Sequence, residues 1–229
     1  MPTFTIKGVT LRIPEAQLSP KLTEALEKGQ YEAGESRALL KHVRPGDRVL
    51  DLGAGAGFVS SLAARVVGGE NVVAVEANPD MLPVLRRNLN LNGAGDAEML
   101  FGAVVADGFA GETLKFQQAA AFWASRIGAA DGAAGKGTRL VEVPALRFGP
   151  LVARFQPTIV MMDIEGGEVE ICQQPWPDSV RLVIMEIHTG RYPPGDVKAM
   201  FDGLSRAGFT YMPWGTRGEV VVQQRVPGA

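Results

Sequence analysis

The stretch Met161 to Glu170, MMDIEGGEVE, sets four carboxylates, Asp163, Glu165, Glu168 and Glu170, directly behind the apolar run TIVMM. A run of this kind reads as a strand covered on both faces, so the acids emerge together at its carboxyl end. Acids in that position serve two chemistries. A fixed carboxylate attracts a cationic ligand, and one whose proton affinity is raised by burial takes a proton from a reacting hydroxyl. Glu168 stands where a helix would begin after Gly166-Gly167, where an acid suits the helix dipole, and Glu170 reads as a solvated helix residue. Asp163 and Glu165 have no such explanation and are candidate catalytic groups. His188 closes a second apolar run, RLVIMEIH, with Glu186 behind it as a candidate orienting partner. A lone histidine serves structure as readily as catalysis, but a strand end on the same edge as Asp163 makes it a candidate base. Asp163 and Glu165 offer oxygen ligands to a hard cation; nothing in their spacing requires one, and no metal is expected. His42 falls in the last turn of a helix, where its charge complements the dipole.

A second constellation lies upstream. VLDLGAGAGFVS passes from strand to helix through Gly53, Gly55 and Gly57. Without side chains the backbone turns tightly and approaches a ligand, and the helix starting near Phe58 presents unpaired N–H groups to it. The spacing is G-x-G-x-G, not the G-x-G-x-x-G of a dinucleotide site, and no Walker lysine follows. Glu76 ends the next strand, where a carboxylate accepts from both hydroxyls of a ribose. Asp107, after a third strand, is placed to accept from an adenine amino group, or is simply a turn residue.

The elements that must position these groups follow from periodicity. FTIKGVTLRI alternates around Lys7-Gly8 and predicts a hairpin. A polar helical region and the helix ESRALLKHV come next. Strand 48–52, helix FVSSLAARVV, strand 71–77 and helix MLPVLRRNLNLN then make two βα units, with Asp80 as expected N-cap of the second helix and Pro83 in its first turn. EMLFGAVVA, TIVMMD and RLVIMEIH give three more strands. After helix DVKAMFDGLSRAG, strands FTYMPW and EVVVQQRV form an antiparallel hairpin through GTRG. The plan is an open, mostly parallel, doubly wound α/β sheet, in which ligands bind beyond the carboxyl ends of the strands. Residues 119–138, rich in Ala and Gly, are expected to form an insertion or a lid. Phe122, Trp123, Tyr192, Tyr211 and Trp214 are candidates to wall an acceptor pocket or to join the core.

Composition narrows the class. The 229 residues predict a single domain, 1–229, with 1–34 as an N-terminal hairpin and helical extension. One cysteine, Cys172, leaves no internal disulfide or Cys-based zinc framework, and no secretory leader or long apolar span is apparent, so a cytoplasmic protein is expected. A net charge of −2 with scattered Lys and Arg points to a small-molecule substrate, with no nucleic acid or membrane partner. A homodimer is admissible.

VLDLGAGAGF, VVAVEANP and the order of five strands then two resemble a class I S-adenosylmethionine-dependent methyltransferase. YEAGE (31–35), RRNLNLN (86–92), MDIEGGE (162–168) and IMEIH (184–188) are similar to the FkbM-type family within it. The resemblance implies a Rossmann-like seven-stranded sheet of order 3-2-1-4-5-7-6 with an antiparallel last strand. It also implies S-adenosylmethionine as methyl donor and, usually, O-methylation of a sugar or natural-product hydroxyl. By motif, Asp51, Gly53, Ala54, Gly55 and Gly57 would surround the donor's methionine part, Glu76 with Ala77 its ribose, and Tyr31 and Glu32 would line the pocket from the N-terminal side. Met162 stands where the family often has lysine, and Gly167 where it often has alanine. The competing readings are an N-methyltransferase, one acting on RNA or protein, and, more distantly, a nicotinamide-dependent oxidoreductase. A basic groove or an Asn/Asp-Pro-Pro-aromatic motif at the fourth strand would favour the first two, and neither is visible in the sequence.

Overall fold

A computed structural model describes residues 1–119, 126–127, 138–188, 190 and 192–228. Strands β1 (Thr3–Ile6) and β2 (Val9–Arg12) form the N-terminal hairpin, turning through Lys7 and Gly8, both at positive φ. Helices α1 (Pro20–Glu27) and α2 (Ala33–His42) follow. The main sheet then begins with β3 (Val49–Leu52), α3 (Phe58–Val67), β4 (Val72–Glu76), α4 (Leu82–Leu91) and β5 (Glu98–Phe101). Next come β6 (Ala103–Val105), β7 (Thr113–Ala119), β8 (Arg126–Ile127), β9 (Thr138–Arg147) and α5 (Phe148–Phe155). The chain finishes with β10 (Ile159–Met162), α6 (Glu168–Cys172), β11 (Leu182–Glu186), α7 (Pro194–Arg206), β12 (Phe209–Arg217) and β13 (Val220–Arg225).

Seven strands make one sheet in the order β5-β4-β3-β10-β11-β13-β12, parallel except for β13, which runs against both of its neighbours. Order reverses between β3 and β10, which pair in parallel from Val49–Ile159 to Leu52–Met162. The two strands therefore end side by side, and Asp163 N–H donates to Leu52 O at 3.0 Å. Alternation along each strand feeds two cores. Val49, Val72, Ala74, Ile159 and Met161 pack with α1 to α4 and the β1–β2 hairpin, while Leu50, Leu52, Val73, Val160 and Met162 pack with α5 to α7.

The hairpin is tied to the sheet by asparagines of RRNLNLN. Asn88, fully buried, accepts from Arg12 N–H and donates to Ala56 O, and Asn92 exchanges bonds with both backbone groups of Thr10. One turn of α4 thus substitutes for a missing strand partner and braces the glycine loop.

Several expectations need correction. The strand EMLFGAVVA breaks at Gly102, φ 151°, where a side chain would press on Pro144 O, 2.7 Å away. Its second half, β6, leaves the main sheet and pairs with β9 in a further sheet of order β6-β9-β7-β8, which the sequence reading omitted together with α5. Asp80 does not cap α4. Met81 occupies that position without a side-chain bond, and Asp80 sits in the preceding turn with its N–H donating to Asn78 Oδ1. GTRG is not the closing turn: β12 continues to Arg217 through a bulge pinned by Thr216, whose hydroxyl donates to Met212 O and accepts from Val222 N–H. Most of the expected lid, 120–125 and 128–137, lies outside the described residues, as do Phe122 and Trp123.

Candidate active site

Gly53 N–H and Ala54 N–H both donate to Val75 O, which folds the loop after β3 across the end of β4. Gly53 has φ 89°, and a methyl group there would overlap the Asp163 carbonyl oxygen, so this glycine lets β10 end against the loop. Gly57, φ 81°, caps α3 with Leu85 at its back. Gly55 N–H donates to Glu76 Oε2 at 2.7 Å, and Asn78 N–H to Oε1 at 2.6 Å. Burial nevertheless dominates and pushes Glu76 up to about 7. Asp51, behind the loop, accepts from Ser60 Oγ at 2.5 Å; burial pushes it up to about 6 in spite of that bond.

Beyond Asp163 the chain curls around Glu168, the fully buried first residue of α6. Its carboxylate accepts from Ile164 N–H, Gly166 N–H and the Tyr192 hydroxyl. Three donors on one buried acid fix the loop carrying Asp163 and Glu165. Glu165 is held at φ 56°, a conformation costing a non-glycine residue roughly 1–3 kcal/mol. His188 Nε2 lies 3.2 Å from Glu165 Oε2, 3.5 Å from Asp163 Oδ1 and 3.9 Å from Glu186 Oε2. Burial opposes charge on this imidazole, but the bond to Glu165 and the charges of Glu165, Asp163 and Glu168 outweigh it and push His188 up to about 9. Burial, then the charges of Glu186 and Glu165, push Asp163 well above the usual carboxyl range. Burial and Glu35, which also hydrogen-bonds it, push Glu186 up to about 7. A cavity of about 840 Å³ joins this acidic group to Gly53, Gly55 and Glu76.

Residues 51–211 match the model of the methyltransferase FkbM domain. The chain belongs to this family of S-adenosylmethionine-dependent methyltransferases. Among curated proteins it is 46% identical over 57 residues to ribosomal protein L11 methyltransferase of Thermus thermophilus, covering 25% of this chain and 22% of that one. It is 43% identical over 61 residues to arsenite methyltransferase of Halobacterium salinarum, covering 26% and 16%. The match thus spans less than a quarter of the length of either relative. A tRNA m1G37 methyltransferase of M. jannaschii shares the fold at a TM-score of 0.50 and 13% identity, over 98% of this chain and 54% of that one.

In this FkbM domain the cavity is lined by Tyr31, Glu32, Gly53, Gly55, Glu76, Ala77, Asp163, Glu165 and His188 from the expected set. Asp51 and Ala54 face a small cleft beside it. Asp107 is not among the lining residues; its carboxylate accepts from Gly149 N–H in the first turn of α5. Tyr31 packs on Phe58 at 5.9 Å, and Glu32 turns the chain at φ 44° into α2. Burial pushes both well up, reinforced at Tyr31 by the charge of Glu32 and at Glu32 by that of Glu35. Both precede the span that matches the family model. So do Glu35 and Arg37, which line the cavity unanticipated, as do Phe116 of β7 and Arg217 at the β12–β13 turn. His42 donates to Trp214 O at 2.7 Å, tying α2 to β12.

Proposed function

We propose that this protein transfers the methyl group of S-adenosylmethionine to a hydroxyl of a small molecule, a sugar or natural product. The observation that carries the reading is one cavity running from the glycine loop and Glu76 to the Asp163, Glu165 and His188 cluster. Its volume of about 840 Å³ lies within the range of roughly 300–1,000 Å³ usual for small ligands. The donor's ribose rests on Glu76 and its methionine part along Gly53 to Gly55. The sulfonium then faces the acids, which stabilise its charge.

The acceptor oxygen attacks the methyl carbon in line with the departing sulfur, and holding the three atoms collinear supplies much of the rate. The hydroxyl proton passes to a carboxylate of the cluster formed by Asp163, Glu165 and His188. Within it, burial and the charges of Glu186 and Glu165 raise the proton affinity of Asp163. A cytoplasmic setting and a chain acting as one domain without a nucleic-acid or membrane partner complete the proposal. They are supported by the single buried thiol, the slight net charge, and the lack among the described residues of any helix long and apolar enough to cross a membrane.

The test is incubation with S-adenosylmethionine and panels of phenols, sugars and amines, read by mass spectrometry. The expected products are a methyl ether and S-adenosylhomocysteine. Asp163→Asn lowers kcat by about 10²–10⁴-fold while S-adenosylhomocysteine still binds. Methylation confined to amines would replace the hydroxyl reading, and stabilisation by NAD without any by S-adenosylhomocysteine would sink the donor reading.

A further inference from the structure

Asp163, Glu186 and His188 each present one ligand atom such that all three lie within 4.8 Å of one another. They come from the ends of the adjacent strands β10 and β11, whose register pairs Met162 with Met185. The site is therefore set by the sheet and not by a mobile loop. His188 Nε2 is 3.5 Å from Asp163 Oδ1 and 3.9 Å from Glu186 Oε2. Around a six-coordinate Mg²⁺ or Mn²⁺ with bonds of about 2.1 Å, neighbouring ligand atoms stand about 3 Å apart and opposite ones about 4.2 Å. The observed separations need only small side-chain adjustments to meet that shell.

Two further features point to a cation. Asp163 Oδ1 is buried without a hydrogen-bond donor, an arrangement that costs roughly 1–3 kcal/mol unless something occupies its lone pairs. His188 Nδ1 is buried on the side away from the cluster's centre and faces Glu168 Oε1 at 3.9 Å. A rotation of the imidazole that closed this gap to hydrogen-bond length would give the carboxylate-backed arrangement of a metal-ligating histidine. Around them Glu35 and Glu165 bring two further carboxyl groups to the same cavity wall.

We propose that Asp163, Glu186 and His188 bind a divalent cation of the Mg²⁺/Mn²⁺ class, and that its remaining positions take two oxygens of the acceptor. The mixed oxygen and imidazole donors suit Mn²⁺ at least as well as Mg²⁺. The acceptor class is then a molecule with a hydroxyl beside a second hydroxyl or a carbonyl oxygen. This deepens the proposed methyl transfer and rests on it. Bound to the cation, the hydroxyl loses its proton to Glu165, 3.2 Å from His188 Nε2. An oxygen lone pair forms the new bond to the methyl carbon, the carbon–sulfur bond breaks, and its electron pair stays on sulfur. The products are a methyl ether, S-adenosylhomocysteine and one proton, which Glu165 releases to water.

The full chain, stripped with chelator, is titrated with MnCl₂ and free Mn²⁺ is followed by electron paramagnetic resonance; S-adenosylhomocysteine binding is measured in parallel by calorimetry. One Mn²⁺ per chain is expected, and the affinity falls by about tenfold or more in Glu186→Gln and in His188→Asn. Both variants keep S-adenosylhomocysteine binding, which shows them to be folded. If the parent chain binds S-adenosylhomocysteine but no Mn²⁺, the metal site is wrong and the methyltransferase reading stands. Undiminished Mn²⁺ binding in both variants puts the ion elsewhere and overturns the proposal. Failure of both ligands to bind overturns the two readings together.

Discussion

Glu76 is the side chain on which donor binding turns most directly. It is buried, and loss of water lifts it from an ordinary 4.5 to about 7 against the backbone bonds from Asn78 and Gly55. In the donor-free protein a raised carboxyl contributes stability that is fully present below about pH 4.5 and is lost as pH climbs through about 7. Donor binding runs the other way, because ribose hydroxyls donate to the ionised form. The affinity for S-adenosylhomocysteine is expected to rise from about pH 5.5 to about pH 8, by at most about tenfold per pH unit below 7. Glu76→Gln should bind more weakly and without that dependence in calorimetric titrations at several pH values; a flat profile in the parent chain would remove Glu76 from the donor site. Gly53 is as sharply defined. Alanine there meets both a left-handed φ of 89° and the Asp163 carbonyl, so Gly53→Ala should lower unfolding free energy in urea by at least about 1–3 kcal/mol and weaken donor binding.

At the scale of elements, the asparagine pair of α4 decides whether the N-terminal hairpin and the glycine loop hold their places. Removing Asn88 leaves Arg12 N–H and Ala56 O without their partner inside a buried contact. Asn88→Ala is therefore expected to cost about 1–3 kcal/mol per orphaned group, seen as a lower melting temperature, and to weaken donor binding through Ala56 although residue 88 lines no part of the cavity. An Asn88→Ala protein with parental stability would show that the hairpin is carried by Asn92 and its apolar contacts without Asn88. The same scale explains what the sequence disclosed. The βα units from β3 to α4 were legible because branched apolar runs, glycine stops and helical periodicity agree there. The sheet β6-β9-β7-β8 was not: Pro144 inside β9 argues against a strand, and β7, TLKFQQA, carries little branched apolar character. Glu35 was hidden for a different reason. In the first turn of a helix it looks like a dipole partner, and only the left-handed turn at Glu32 brings it to the cavity wall beside Glu186.

For the whole molecule, the cavity joins parts that are far apart in the chain. Tyr31 to Arg37 form one wall, Gly53, Gly55 and Glu76 the floor, Gly102 to Val104 another wall, and the turn from Arg217 to Val220 closes the side next to α2, where Val220 packs against Gly34. The floor carries acids while Arg37 and Arg217 bring positive charge to the walls, so a ligand with a cationic centre and an anionic end, as the donor has, meets complementary charge along its length. The walls at Tyr31 and Val220 belong to one packed body on this side of the sheet, since both share a core with Ile6, Val9 and Leu11 of the hairpin, Leu62 of α3 and Leu85 of α4. Local opening free energies differ between segments, and a ligand suppresses the openings of those it touches. Hydrogen exchange read by mass spectrometry, with and without saturating S-adenosylhomocysteine, should therefore slow in four separated segments, 31–37, 53–57, 102–104 and 217–220. Helix α7, which packs on the opposite face and lines no part of the cavity, should change little. Protection confined to 53–57 and Glu76 would mean that the donor rests on the glycine loop alone, and the segment before Asp51 would then lose its assigned role as a wall.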